Sequence, residues 1–168
     1  EYGVRSGPVT VDMAVVRQRK RQIVDDFRQG SQQSIESTPN VELIMGEASF
    51  TGPKTIGVRL LDGRERSLAA DLICVNTGCR PSVPDLPGLA SVPYLTSTTI
   101  MELDAVPEHL LVLGGGYVGL EFGQMFRRFG SAVTVVQRGG HLLTREDADV
   151  ADAVADVLRQ EGVDVRLH

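Results

Sequence analysis

Three glycines at fixed spacing, Gly114, Gly116 and Gly119, follow the apolar run His109–Leu113 and open the amphipathic run Gly116–Phe129. That pattern suits phosphate binding. Gly114 permits a tight turn, Gly116 lets backbone approach a pyrophosphate, and Gly119 lets a helix pack near a strand. A helix N-terminus then offers free N–H groups and a partial positive charge. Gly115, Tyr117 and Val118 complete the turn, so 114–119 is the expected pyrophosphate contact. In NAD-binding turns of this kind an acid about 20 residues on bonds the ribose 2′-OH. Here the second strand ends in Gln137-Arg138. Gln137 can still bond a hydroxyl and does not repel a 2′-phosphate, and Arg138 can pair with one. NADPH is slightly favoured and NADH stays open.

The only two cysteines, Cys74 and Cys79, form a second constellation. A reactive pair needs a helix N-terminus or cation to hold a thiolate. Cys74 instead falls in the apolar run Asp71–Val75, read as a strand buried on both faces, and Cys79 enters a proline-rich connector. The pair is therefore expected to be inert, with Cys74 a small buried hydrophobe. His109, His141 and His168 have no recognisable acid/base partner and read as structural or surface residues.

The elements that must position these residues follow from periodicity. Residues 12–29 read as a helix, with Met13, Val16, Ile23, Val24 and Phe27 at helical spacing and Arg17, Arg19, Lys20 and Arg21 on a solvated basic face. Gly30 can end it. Val41–Met45, Thr55–Leu61 and Arg66–Ala70 read as short strands, with Asp62-Gly63 turning a hairpin. Pro81, Pro84, Pro87 and Pro93 mark an extended connector. Then come strand His109–Leu113, helix Gly116–Phe129, strand Ala132–Val136, helix Val150–Gln160 with Val150, Val154, Val157 and Leu158 inward, and strand Val163–Leu167. This is the βαβαβ half of a doubly wound fold. Three strands leave an open edge, and the chain starts without Met, so a piece of a longer protein is expected.

The 168 residues carry a net charge of −5 and 42% hydrophobic residues. No basic field invites nucleic acid. No stretch approaches the roughly 20 apolar residues of a membrane span. Two cysteines are too few for a disulfide-stapled scaffold. No metal site is expected, and a cytoplasmic location is.

GGGYVGLE after a strand, preceded by NTGCRPSVPDLPG, resembles the flavin-dependent pyridine nucleotide–disulfide oxidoreductases, the family of mercuric reductase and dihydrolipoamide dehydrogenase. The resemblance implies an α/β FAD/NAD(P)-binding Rossmann-like fold, present in part, with a small antiparallel β-meander. Residues 1–90 would be the later part of the FAD domain and 91–168 the first half of the NAD(P) domain. It implies FAD and NAD(P) as cofactors and a homodimeric parent. Electrons would pass from NAD(P)H through flavin and a redox disulfide outside this chain to a small-molecule or small-protein acceptor. Thr77 and Gly78 would near the FAD, and the Ala48 backbone its adenine. Tyr117 would cover the flavin and Glu121 lie near the nicotinamide; no catalytic residue is expected in this chain. Two alternatives stay open: a flavoprotein reductase or oxidase without a disulfide, and a non-catalytic NAD(P)-binding module.

Overall fold

The computed structural model describes residue 7 and residues 9–168. They form two compact units. One comprises Gln22–Arg80; the other joins the described residues up to Arg21 with Pro81–His168.

Helix α1 runs Met13–Glu36. Asp12 starts it by accepting the Ala14 and Val15 N–H groups at 3.0 and 3.2 Å, as an N-cap should. Gly30 does not end it. A lone glycine costs a helix about 1 kcal/mol, and the chain continues helically to Glu36. Ser37 and Thr38 then turn their hydroxyls back to the Ser34 carbonyl. The basic run on α1 differs from expectation. Arg17, Lys20 and Arg21 converge on Glu102, which sits in a short 3₁₀ turn, Ile100–Glu102.

The Gln22–Arg80 unit holds a three-stranded antiparallel meander, β1 (Gly46–Gly52), β2 (Thr55–Leu60) and β3 (Glu65–Ala69), in that order. Asp62-Gly63 turns β2 into β3 as expected. The Gly63 N–H donates to the Leu60 carbonyl at 3.0 Å, and Asp62 accepts the Arg64 N–H. The expected strand Val41–Met45 is instead irregular. The turn at Gly52–Thr55 sets the register so that Gly46 already pairs with Leu60, the last residue of β2. Earlier residues have nothing to pair with on that strand.

Asp71–Val75 is also not a strand. Leu72 and Val75 are 80% and 67% exposed, and Cys74 is exposed rather than buried. A strand buried on both faces needs parallel neighbours and covering helices. Among the described residues of this unit, the only sheet is the antiparallel meander.

The other unit contains the parallel sheet β4 (His109–Leu113), β5 (Ala132–Gln137), β6 (Asp164–Leu167), with helices α2 (Tyr117–Phe129) and α3 (Ala148–Gln160) as crossovers. This is the expected half of a doubly wound fold. Leu110, Val133 and Val135 pack with Leu120, Phe126, Ala155 and Leu158 in one core. Phe126 and Val135 are fully buried, and side chains of that size contribute about 1.5–3 kcal/mol each by leaving water. On α3 the inward stripe is Ala151, Ala155 and Leu158, while Val150 and Val157 are half-exposed. Leu158 is inward as expected and Val154 is partly buried against the core, so the stripe lies one residue on from Val150 and Val157.

Candidate functional site

The site is built where β4 ends. Its ladder continues one step past the strand, because the Gly114 N–H donates to the Val136 carbonyl at 2.9 Å. Gly114 then turns with φ 101, a conformation that suits glycine. Gly116 is the extended N-cap of α2, and its carbonyl accepts the first helical bond, from Leu120 N–H, at 3.1 Å.

The glycines play different roles. A Cβ on Gly119 would lie 2.9 Å from Val112 Cγ1 and 3.1 Å from the Gly114 carbonyl oxygen. That glycine exists for helix–strand approach. Gly115 is buried, and a Cβ there would lie 2.6 Å from Leu142 Cδ2. Gly116 is exposed, and a Cβ on it meets nothing within 4 Å. Its missing side chain serves no contact within the protein.

Gly115 is held from both sides. Its N–H donates to Gln137 Oε1 at 3.0 Å, and its carbonyl accepts the Leu143 N–H at 2.8 Å. The loop after β5 thus folds back over the glycine turn and fixes its backbone. Sequence reading missed this clamp. Leu142 and Leu143 lie outside any periodic element; the only signal was the Gly139-Gly140 pair, which allows a sharp return.

Tyr117 and Glu121 stand one helical turn apart on α2. Both are exposed and line an apolar groove of about 520 Å³ between α2 and α3, with Leu120, Val150, Val154 and Val157. Val118 is also exposed, at 39%. Arg138 is exposed beyond Gln137 and makes no ion pair among the described residues. So Gly114, Gly115, Gly116, Gly119 and Gln137 are brought together, with Tyr117, Val118 and Glu121 on the following helix.

Ala48, Thr77 and Gly78 belong to the other unit. Ala48 pairs with Val58 across β1 and β2. Thr77 and Gly78 lie in exposed irregular chain, where Gly78 turns with φ 74. His109 Nε2 bonds Thr134 Oγ1 at 3.0 Å, and His141 Nδ1 lies 3.7 Å from Asp152. Among the described residues, no three metal-ligating side chains cluster, and no helix is long and apolar enough to cross a membrane.

A glycine turn between a parallel strand and a helix N-terminus, with the next strand end beside it, defines a dinucleotide-binding module of the doubly wound class. Comparison with known proteins narrows this. Residues 5–168 match the family model described as pyridine nucleotide-disulphide oxidoreductase. The probable pyridine nucleotide-disulfide oxidoreductase RclA of Escherichia coli (strain K12) is 38% identical over 152 residues, 90% of this chain and 34% of that protein. Mercuric reductase of Streptomyces lividans is 36% identical over 166 residues, 99% of this chain and 35% of its own length. A solved structure of the HOCl-induced flavoprotein disulfide reductase RclA from Escherichia coli matches at 36% identity with a TM-score of 0.80. The match covers 94% of this chain and 35% of that one. The chain belongs to the pyridine nucleotide-disulphide oxidoreductase family, whose members are enzymes using FAD and NAD(P)H. It spans about a third of the length of these relatives.

Proposed function

We propose that this chain supplies the NAD(P)-binding turn and part of the FAD cradle of a flavoprotein reductase. NAD(P)H would donate hydride to the FAD, which passes the electrons through a redox disulfide outside this chain to a small-molecule or small-protein acceptor. Gly114–Gly119 would hold the pyrophosphate, with the α2 N-terminus offering its N–H groups. Glu121 would stand near the nicotinamide, and Tyr117 would cover the flavin until the nicotinamide displaces it. Gln137 and Arg138 would meet the adenosine ribose. Thr77, Gly78 and the Ala48 backbone would serve the FAD, a role supported by the left-handed turn at Gly78. The family supports a homodimer for the whole protein.

The observation that carries this reading is the open space at Gly116. A glycine that no internal contact requires, at a helix N-terminus and flanked by glycines that packing does require, leaves room for a ligand. The test is Gly116→Ala in the flavin-loaded protein, mixed anaerobically with NADH and with NADPH. Stability should fall by no more than about 1 kcal/mol, since alanine is a poorer N-cap than glycine. The KM for flavin reduction should rise by about tenfold or more, as one lost close contact of roughly 1.4 kcal/mol implies. Unchanged reduction kinetics would refute the pyrophosphate assignment.

A further inference from the structure

We infer that Leu143 is a positioning residue of the dinucleotide site: its left-handed backbone aims the Gly116 N–H at the bound pyrophosphate. The inference rests on reading Gly114–Gly119 as the pyrophosphate turn. Its starting point is a backbone outlier. Among the described residues, the non-glycines with a positive φ are Asn40, Leu143 and His168. Asparagine and histidine are several-fold enriched in that region, whereas a bulky aliphatic residue there is an outlier. Leu143, at φ 46, lies in the loop that returns over the glycine turn. Backbone strain of this kind persists only where its surroundings enforce it, and it clusters at binding sites.

The surroundings show what the conformation achieves. Leu142 is buried, and its Cδ2 would lie 2.6 Å from a Cβ on Gly115. Leu143 then sends its N–H to the Gly115 carbonyl at 2.8 Å, while its own carbonyl accepts the Glu146 N–H at 2.8 Å. The positive φ turns the chain between these two bonds. Gly115 is also tied at its other end, by its N–H to Gln137 Oε1 at 3.0 Å. Every peptide among the described residues is trans, and a trans peptide is planar with its C=O and N–H antiparallel. Holding the Gly115 carbonyl toward Leu143 therefore points the Gly116 N–H the opposite way. That N–H has no partner among the described residues, and Gly116 is exposed. It is a donor oriented in advance, so a pyrophosphate oxygen meets it without reordering the turn. The Leu143 side chain also packs, partly buried, against the core, so a test must separate backbone from packing.

Two substitutions do so. Leu143→Val keeps an apolar side chain, but a β-branched residue resists a positive φ. Leu143→Asn loses the apolar contact but accepts that φ. The probe is ADP-ribose, which carries the pyrophosphate and no nicotinamide, titrated calorimetrically into the flavin-loaded protein. Leu143→Val should weaken its binding about tenfold, as one misdirected charge-assisted hydrogen bond implies. Leu143→Asn should stay within about twofold of the unaltered protein. Relative to its intrinsic rate, the amide at position 143 should exchange about tenfold faster in the valine variant alone, having lost its bond to Gly115. Unchanged affinity or unchanged exchange in Leu143→Val would overturn the proposal. So would a loss of affinity in Leu143→Asn as large as that in Leu143→Val, which would make Leu143 a packing residue. If Leu143→Val does not fold, Leu143→Asn decides alone: retained affinity supports the backbone role, and a tenfold loss overturns it. Failure of ADP-ribose to bind the unaltered protein would refute the nucleotide reading itself.

Discussion

Gly119 and Gly123 both lie in α2, four residues apart, and alanine should affect them in opposite directions. At Gly119 the new methyl would sit 2.9 Å from Val112 Cγ1 and 3.1 Å from a backbone oxygen. Backbone cannot rotate away, so α2 must lift from β4, and overpacking of this kind costs about 1–3 kcal/mol. At Gly123 the nearest atoms are Val133 Cγ1 at 3.5 Å and Val112 Cγ2 at 3.7 Å, ordinary contact distances. There the methyl fills space, and alanine relieves the helix of glycine's excess unfolded-state entropy, a gain of about 0.5–1 kcal/mol. Denaturant unfolding of the two variants decides the matter: Gly119→Ala should lower the midpoint and Gly123→Ala raise it. If both moved the same way, the close-packing role assigned to Gly119 would be lost. The glycine spacing made Gly119 legible from sequence. Gly115 was not, because its constraint comes from Leu142 and Gln137, which only the folded loop brings to it.

At the scale of elements, the regular periods were the legible part. Strand β4 runs over its expected residues and α2 differs by one, because each must bury one face against the other and no alternative pattern competes. The meander strand before Thr55 was placed too early, since apolar content marks Val41–Met45 but pairing distance from the Gly52–Thr55 turn decides the register. The basic run of α1 was read as solvated for a related reason: its partner, Glu102, is over 80 residues away in sequence. Hydrogen bonds from Lys20 Nζ and Arg21 hold the Glu102 carboxyl down to about 2, from an ordinary value of 4.5. A depressed folded-state pKa contributes stability that is complete above 4.5 and is lost as pH falls toward 2. The thermal midpoint of Glu102→Gln should therefore lie below that of the unaltered protein at neutral pH. The gap should close between pH 4.5 and about 2. A gap that stays constant across that range would mean that the carboxylate's charge is not what pins this turn to α1.

At the scale of the whole molecule, the two cysteines pose the sharpest question. Cys74 and Cys79 are both free and exposed, in a segment of irregular chain rather than at a helix start. The exposure of Cys74 removes the expectation of an apolar, protected thiol. It does not make the pair a redox centre. Neither cysteine lies at the start of a helix along the chain: α1 has ended at Glu36 and the next α-helix begins at Tyr117. The chain also spans only about a third of the length of its relatives. Leu72 and Val75, largely exposed beside Cys74, are apolar surface of the kind that a covering layer would bury. In the full flavoprotein, then, Cys79→Ser should leave both NAD(P)H-driven flavin reduction and the thiolate-to-flavin charge-transfer absorbance of the reduced enzyme unchanged. Thr77→Val and Gly78→Ala should instead loosen FAD. Gly78→Ala forces an L side chain into a positive φ of 74, a strain of about 1–2 kcal/mol, read as a faster release of flavin on dilution. Loss of the charge-transfer absorbance in Cys79→Ser, with flavin still bound, would move the redox centre into this chain and make Cys79 its thiolate.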